Sequence, residues 1–294
     1  MDQRKQGLFL TQAAWKNSDC NALSLYINGS LGRKKMLSHF DVHLFLHGPL
    51  NNYGMLVHAR ETGETAAIDC GDAGKTLAAL ETTGWELTEI WVTHHHPDHT
   101  AGVREIKAIT GCYVRGPEQG RSLPITDLDV EYWDGDTFLF AGHAVDVIAT
   151  PGHTLDMVNY YLPDQKAVFT GDTLFTLGCG RIFDGSPALL QQSLKRLALL
   201  PSETLVFGAH EYTRTNIAFT RQVDPENLAT KERIARFEKL LDSGQATVPV
   251  KLAGELATNP FLRPDDRGIR AALGMPDASD EEVFARLRQI RNEF

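Results

Sequence analysis

The amino-acid sequence predicts an α/β fold, in which a mixed sheet covered by helices is followed by a smaller helical region. Between residues 36 and 210, short runs of β-branched and aromatic residues are bounded by Gly, Pro, Asp and Asn, which is typical of strands. Apolar residues recur at helical spacing between some of these runs. Strands that alternate with helices, together with a hairpin-like pair of runs over residues 137–150, favour a mixed sheet.

The helices predicted within the larger region are Asp72–Thr83, Gly102–Thr110 and Ala188–Leu199. Strand patterns stop after Tyr212, where amphipathic helices separated by Pro and Gly begin. These helices are predicted over Arg214–Arg221, Thr230–Ser243 and Asp280–Asn292. We therefore predict two domains, a larger one over residues 36–210 and a helical one over residues 211–294.

Residues 1–35 differ from the rest of the chain, since they mix Gln, Asn, Ser and basic residues with only two acids. We predict an N-terminal extension here, and three interpretations stay open: a disordered tail, a start upstream of the natural one, or an organelle-targeting peptide. The first two are favoured because no Arg-rich amphipathic helix is evident. A targeting peptide would make the protein mitochondrial.

Charge and composition restrict the partners of the chain. Its 294 residues carry a formal net charge of -9, which argues against binding to nucleic acid or to an anionic membrane, because both require clustered Lys and Arg. No apolar run approaches the roughly 20 residues of a membrane span. We expect a monomeric cytoplasmic protein that acts on a small molecule.

Four histidines and one aspartate fall within His94–His99, the stretch HHHPDH. The run EIWVT before it has the pattern of a buried strand, and GVREIKAIT after it has the pattern of a helix. The cluster is therefore predicted to lie in a loop at the carboxyl end of a strand, where active sites of sheet proteins gather. In such a loop His94 and His96 point the same way, whereas His95 points elsewhere and is expected to be structural.

Further residues of ligand type follow the ends of other predicted strands, so that all of them could meet at one edge of the sheet. Imidazole and carboxylate ligands suit zinc, iron or manganese. Seven candidates are too many for one tetrahedral ion but suffice for two ions if one carboxylate bridges them. The candidates are His94, His96, Asp98, His99, His153, Asp172 and His210. The histidines without partners at ligand spacing are expected on the surface or half-buried, namely His39, His43, His47, His58 and His143.

The order of these motifs resembles that of the metallo-β-lactamase superfamily, whose fold is an αββα sandwich. The motifs are T-H-x-H-x-D-H, then P-G-H-T, then T-G-D and a late histidine. Within the superfamily, the chain from about Met36 onwards is similar to the hydroxyacylglutathione hydrolase (glyoxalase II) family. The stretches that carry this closer likeness are Pro49–Tyr53 (PLNNY), Gly178–Arg181 (GCGR), His210–Tyr212 (HEY) and Asn259–Arg263 (NPFLR).

The resemblance implies a role for each ligand candidate. The residues that match ligands of a first metal are His94, His96 and His153. Those that match ligands of a second metal are Asp98, His99 and His210, and Asp172 matches the bridge. Lactamases of the superfamily commonly carry cysteine at the position of Asp172, which disfavours lactamase activity. Two divalent ions are therefore expected, with zinc favoured over iron and manganese.

Further positions near the site also match the family. Asp69 matches a carboxylate that orients a ligand imidazole, although its place before a predicted helix equally suits a turn or an N-cap. Arg181 and Tyr212 match residues that contact the glutathione moiety, and Arg263 matches a basic residue that reaches it from the helical domain. Some members have lysine three residues after that arginine, where this chain has Asp266.

The activity implied by the resemblance is hydrolysis of a glutathione thioester, chiefly S-lactoylglutathione, to glutathione and D-lactate. A metal lowers the pKa of bound water to about 7, so a metal-bound hydroxide is the expected nucleophile, held by ligands that include Asp98 and Asp172. One alternative is a mononuclear iron persulfide dioxygenase of the same superfamily, which would consume oxygen and lack the long helical tail. Another is a metal-storage or interaction module without catalysis.

Overall fold

Two mixed β-sheets packed face to face, with helices on both outer sides, form the fold. The architecture is described from a computed structural model, which covers residues 33–118 and 123–294. The predicted N-terminal extension lies outside the described residues except for its last three positions, which belong to the first strand. No helix within these two ranges is long and apolar enough to cross a membrane.

Within the described residues, the first sheet contains seven strands in chain order. They are β1 (Arg33–Met36), β2 (Phe40–His47), β3 (Asn52–Ala59), β4 (Thr65–Ile68), β5 (Glu89–Trp91), β6 (Tyr113–Pro117) and β7 (Val130–Tyr132). Strands β1 to β4 pair antiparallel and β4 to β7 pair parallel. The helices of this half are α1 (Ala73–Thr83), α2 (Pro97–Thr100) and α3 (Val103–Thr110). Helices α1 and α3 cover the outer face through a cluster that includes Leu80, Ile90 and Ile106.

The second sheet contains six strands in the part of the chain that the structure describes. They are β8 (Thr137–Phe140), β9 (His143–Ala149), β10 (Val158–Leu162), β11 (Ala167–Gly171), β14 (Leu205–Gly208) and β15 (Val250–Lys251). Their order across the sheet is β15-β14-β11-β10-β9-β8, and only β11 and β14 pair parallel. A separate hairpin is formed by β12 (Leu174–Phe175) and β13 (Gly178–Cys179).

The interface between the two sheets is apolar and largely aromatic. Trp91 of β5 packs edge-on against Phe140 of β8 with ring centroids 5.0 Å apart, and its ring lies 5.5 Å from that of Tyr160. The Tyr160 hydroxyl donates to the backbone oxygen of Val92 at 2.6 Å. Because Val92 comes directly before the loop with the histidine cluster, this core fixes the start of that loop against the second sheet.

Helices of the second half cover the outer face of the second sheet. They are α4 (Pro187–Ala198), α5 (Thr213–Val223), α6 (Leu228–Asp242), α7 (Leu252–Thr258), α8 (Arg267–Leu273) and α9 (Asp280–Arg291), with a 3-10 turn at Pro260–Leu262. Leu194, Phe219 and Leu287, from three of these helices, share one buried cluster with strands of the second sheet. The six predicted helices are confirmed, with ends that agree within two residues.

The prediction that strands stop after Tyr212 is wrong. Strand β15 follows α6 and pairs antiparallel with β14. A strand of two residues is too short for any alternation of polar and apolar residues to appear in the sequence. Helices α7 and α8 also escape detection, because seven residues give less than two full turns of helical periodicity.

The prediction that all histidines outside the motifs lie at the surface or half-buried is wrong for two of them. His43 and His47 are only 7% and 9% exposed. Alternate residues of β2 face outward from the sandwich, and the packing of α1 against this strand removes that face from water. The ring of His43 also meets Trp85 edge-on at 6.3 Å.

Candidate metal centre

All seven ligand candidates lie together at one end of the sandwich, where four strands give way to loops. In the first sheet, β5 leads into His94–His99. In the second sheet, β9, β11 and β14 lead to His153, Asp172 and His210. Three sets of these side chains each bring their ligand atoms within 4.8 Å of one another. Because both sheets contribute, the site is complete only when the sandwich is assembled.

His94, His96 and His153 form the first set, here named the histidine group. The Nε2 atoms of His94 and His153 each lie 3.0 Å from Nδ1 of His96. Burial lowers the pKa of all three imidazoles, and it lowers that of His96 to about 4. The three rings are therefore neutral near pH 7 and offer lone pairs, which is the form that binds a metal.

Asp98, His99 and His210 form a second set, here named the mixed group. Oδ2 of Asp98 lies 3.3 Å from Nε2 of His99 and 3.5 Å from Nε2 of His210. Burial opposes ionisation of Asp98, but the close imidazole of His99, followed by a hydrogen bond from Asn52, holds its pKa below the usual range. The carboxyl group is thus ionised and can act as a ligand.

Asp172 lies between the two groups and directs one carboxylate oxygen toward each. Oδ1 is 3.2 Å from Nε2 of His210 and 3.4 Å from Nε2 of His99. Oδ2 is 3.4 Å from Nε2 of His153. Burial opposes the charge of Asp172, yet the neighbouring histidines keep its pKa well below the usual value. A carboxylate in this position can be shared by one ion in each group.

The donor atoms have the spacing that a metal requires. Bonds of about 2.0–2.1 Å at tetrahedral angles put neighbouring ligand atoms about 3.3 Å apart. The separations quoted above run from 3.0 to 3.5 Å. Nε2 of His99 and Oδ1 of Asp172 are buried without a hydrogen-bond partner among the described residues. A buried polar atom without a partner costs free energy. A cation bound by these ligand atoms would remove that cost.

Hydrogen bonds behind the ligands fix two of the rings. Nδ1 of His99 donates to Asp69 at 2.8 Å, and Asp69 also accepts from the backbone nitrogen and the hydroxyl of Thr93 at 2.7 and 2.9 Å. The same hydroxyl lies 3.0 Å from Nδ1 of His94. Asp69 thus makes the contact expected of an orienting carboxylate. Its alternative role as a helix N-cap is wrong, because Asp72 caps α1.

Backbone oxygens fix two further rings. Nδ1 of His153 donates to the oxygen of Arg181 at 2.7 Å, and Nδ1 of His210 donates to the oxygen of Leu50 at 3.0 Å. With Nδ1 used in this way, Nε2 of each ring is the atom left to bind a metal.

His95 does not join either group. Its backbone nitrogen and its Nδ1 both contact the Asp156 carboxylate at 3.0 Å, so the residue anchors the ligand loop. Asp156 is only 5% exposed and was not identified from the sequence. Its position three residues after His153 was the available signal, since the loops that follow strands in this half carry the other ligand-type residues.

Comparison with known proteins assigns this arrangement to a family. Residues 48–210 match the sequence model described as metallo-beta-lactamase superfamily, and residues 211–294 match the one described as hydroxyacylglutathione hydrolase C-terminus. The chain is 49% identical over 244 residues to hydroxyacylglutathione hydrolase from Brucella anthropi, which covers 83% of this chain and 94% of that protein. This chain belongs to the hydroxyacylglutathione hydrolase family.

Solved structures agree with the fold of this hydroxyacylglutathione hydrolase family member. TTHA1623, solved in a di-iron-bound form, is 27% identical with a TM-score of 0.54, over 74% of this chain and 99% of that one. ETHE1 from Myxococcus xanthus is 24% identical with a TM-score of 0.60, over 84% and 89%, and shows a common fold alone. The predicted αββα sandwich is confirmed, and the chain is a metal-binding member of the superfamily.

Aromatic rings line the open side of the metal centre in this hydrolase-family chain. Phe183, which is 59% exposed, stands edge-on to the rings of His96 and His153 at centroid distances of 5.0 and 5.2 Å. Tyr212 stacks on His210 with ring centroids 4.6 Å apart and 5° between the planes. Burial raises the pKa of Tyr212 to about 12, so its hydroxyl remains protonated and can donate.

Helix α9 brings two arginines that the sequence analysis missed to the GCGR stretch. Arg288, which is 5% exposed, donates to the backbone oxygens of Cys179 and Gly180 at 2.9 and 3.2 Å. Burial, followed by the charges of Arg288 and Arg181, lowers the pKa of Arg291 to about 10. The three guanidinium groups therefore concentrate positive charge at one place. In the sequence, the two arginines of α9 look like ordinary residues on the solvated face of an amphipathic helix.

Arg263, which is predicted to contact glutathione, does not share this arrangement and is paired within the helical tail. Its Nη1 pairs with Asp224 at 2.5 Å and its Nη2 pairs with Asp266. Asp266 also caps α8 by accepting from the backbone nitrogen of Gly268 at 2.8 Å. Both ends of the guanidinium thus form ion pairs inside the helical tail.

Asn259 gives the NPFLR stretch a structural role. Its Nδ2 donates to the backbone oxygens of Gly178 at 3.0 Å and Phe175 at 3.3 Å, and to Glu255 at 2.8 Å. Glu255 in turn accepts from the backbone nitrogen of Leu177 at 3.0 Å. The helical tail therefore holds the β12–β13 hairpin, whose second strand forms the first half of the GCGR stretch beside the metal centre.

Proposed function

We propose that this chain hydrolyses thioesters between glutathione and hydroxy acids, and that it converts S-lactoylglutathione to glutathione and D-lactate. The 49% identical hydroxyacylglutathione hydrolase from B. anthropi supports this reaction class. The observation that carries the proposal is the position of Asp172, whose two carboxylate oxygens face two separate sets of ligands. Such a bridge suits hydrolysis at a pair of metal ions.

The histidine group would hold one divalent ion, the mixed group would hold the other, and Asp172 would bind both. Zinc is the expected metal because imidazole and carboxylate ligands suit it, and iron and manganese are the alternatives. TTHA1623, in its di-iron-bound form, supports the iron alternative. When bound, such ions lower the pKa of a coordinated water and polarise the thioester carbonyl.

Residues of the chain itself set the geometry of this reaction. Asp69 keeps Nε2 of His99 directed into the site, and the charges of Asp98 and Asp172 retain the cations. The rings of Phe183 and Tyr212 stand beside the ligands as walls for the acyl group. A thiolate is a stable leaving group, so no side chain has to donate a proton when the C–S bond breaks. This agrees with a site composed mainly of ligands.

Arg181 and Arg291 are proposed to bind the carboxylates of glutathione, with Tyr212 as a further donor. Arginine grips a carboxylate through two parallel hydrogen bonds, which suits recognition away from the reacting carbonyl. Arg288 adds charge and fixes the backbone of the GCGR stretch. Because the whole chain carries a net charge of -9, this local concentration of arginines has to attract the anionic substrate.

The test combines a hydrolysis assay with metal analysis. S-lactoylglutathione should lose its thioester absorbance at the same rate with and without oxygen, and a chelator should abolish this activity. Plasma emission spectrometry should find two metal ions per active chain. Oxygen consumption with a glutathione persulfide, without thioester hydrolysis, would favour the dioxygenase alternative.

We also propose a cytoplasmic monomer, and light scattering of the purified protein tests its size.

A further inference from the structure

The segment Leu50–Tyr53 lies beside the mixed group and joins the first sheet to the second. Backbone hydrogen bonds of 2.7 and 3.0 Å connect it with Ala209–Glu211, which follows strand β14. Nδ1 of His210 donates to the backbone oxygen of Leu50 at 3.0 Å. One short segment therefore determines where a ligand of the second sheet stands relative to the ligands of the first.

Asn52, in the middle of this segment, turns its side chain toward the ligands. It is 2% exposed, and its Nδ2 donates to Oδ2 of Asp98 at 2.8 Å. The same nitrogen lies 3.4 Å from the backbone oxygen of Asp98 and 3.4 Å from Nε2 of His210. Oδ2 is also the Asp98 atom that faces His99 and His210. The amide thus contacts the oxygen that is placed to bind a metal.

We infer that Asn52 is a positioning residue for the metal of the mixed group. Its amide holds Oδ2 of Asp98 toward the two histidines, and its backbone pairing aligns His210. Among the described side chains, Asn52 is the one donor to the Asp98 carboxylate that is not itself a ligand candidate. This inference rests on the proposed function, because it assigns Asn52 to the second of two metals.

The chemistry at position 52 supports this role. A carboxylate there would repel Asp98, and an apolar side chain would leave Oδ2 without the donor that fixes its direction. An amide donates a hydrogen bond without adding charge, so it orients the ligand and leaves the charge balance of the site unchanged. Because Asn52 is buried, bulk water does not replace the bond when it is removed.

Cobalt titration of the metal-free full-length protein tests the inference without relying on activity. Binding of each Co²⁺ equivalent is followed by visible absorption, which reports the geometry of the ion. The variants are Asn52→Ala and Asn52→Leu, the second of which keeps the number and branching of the side-chain heavy atoms. Asn227→Ala is the matched control, because Asn227 caps α6 and makes its other hydrogen bonds, to Asp224 and Ala257, inside the helical tail and outside both groups.

The wild-type chain and the control should bind two equivalents with similar affinities. Both Asn52 variants should keep the first equivalent and bind the second about 10–100-fold more weakly, which is the usual effect of removing a residue that orients a ligand. Excess Co²⁺ should restore the second spectrum. Wild-type binding of both equivalents in either folded variant, or equal weakening of both, would overturn the role of Asn52. A single equivalent in the wild type would instead overturn the two-metal proposal itself.

Discussion

The metal-binding loops and the helical tail are both rich in charged side chains, but they use them in opposite ways. In the loops, carboxylates and imidazoles converge, and buried atoms such as Nε2 of His99 lack a hydrogen-bond partner among the described residues. In the tail, the fully buried Glu255 is paired with Arg233 and accepts two further hydrogen bonds. Buried side chains of ligand type that converge without partners indicate a ligand site, whereas buried charges that are paired within the chain indicate scaffolding.

The same difference separates two arginines of the tail. Arg263 is paired with two aspartates, and its charge is neutralised locally. Arg291 instead lies among other arginines, and burial and their charge lower its pKa. Holding a cationic group beside like charges costs free energy unless an anion binds there. Arg291 is therefore the better candidate for substrate binding.

The largest effect is expected for Asp172, which lies among the converging ligands of the metal-binding loops. Asp172→Ala removes the carboxylate shared by the two ligand groups, so metal content should fall and kcat should drop at least about 100-fold, the scale of a single strong electrostatic contact. Plasma emission spectrometry and thioester hydrolysis measure the two effects. Asp242→Ala is the control, because Asp242 forms an exposed ion pair with Arg214. Two tightly bound ions and near-normal turnover in Asp172→Ala would refute the bridge.

Arg291→Ala should give the next largest effect. Loss of a charged hydrogen bond to the substrate costs about 1.5–3 kcal/mol, which corresponds to a rise of about 10–100-fold in KM for S-lactoylglutathione. Metal content should not change. Arg286→Ala, on the exposed face of the same helix, should leave KM unaltered. If Arg291→Ala weakens a short thioester without carboxylates to the same degree, the arginine does not recognise glutathione.

Tyr212→Phe should have a smaller effect than either. The ring and its stacking on His210 are retained, so metal binding should persist, and only one neutral hydrogen bond is lost. We expect KM to rise about 2–10-fold, in line with about 0.5–1.5 kcal/mol for such a bond. Steady-state kinetics with Tyr113→Phe as the control measure this. A loss of metal would show that the hydroxyl acts on the metal centre instead.

Arg263→Ala should have the smallest effect on activity and thereby confirm the difference between the two arginines. Breaking its pairs with Asp224 and Asp266 should reduce the free energy of unfolding by about 1–3 kcal/mol, while KM stays unchanged. Urea unfolding and kinetics on the same preparations separate the two effects. A raised KM with unaltered stability would show that Arg263 contacts glutathione. The two arginines would then not differ in function.

The ligand set could be predicted from the sequence for a physical reason. Metal ligands need particular side-chain types, and here these residues follow recognisable strands. Residue type and position in the sequence therefore both predict the same site. His94 and His153 are examples, since each follows a buried run within a few residues. Asp69 was identified only through its match to a family position, because its place after a strand pattern equally suits a turn or an N-cap.

Residues that act through distant contacts could not be predicted in this way. Asn52 and Asp156 orient the ligand loops, but a single Asn or Asp in a loop has many other uses. Arg288 reaches the GCGR stretch only through a contact that spans more than 100 residues of the chain, and Arg291 follows it on the same helix. For Arg263 the charge is visible in the sequence, but its pairing with Asp224 and Asp266 is not.

The division of ligands between the two sheets has a consequence for the lifetime of the protein. Each group takes members from both halves of the sandwich, so each bound ion acts as a cross-link between segments that are distant in the chain. Free metal at 100 times its Kd stabilises a folded protein by about 2.7 kcal/mol. Metal scarcity should therefore expose the chain to proteolysis, and the cellular supply of the ion would set how much of this protein survives as well as how fast it works.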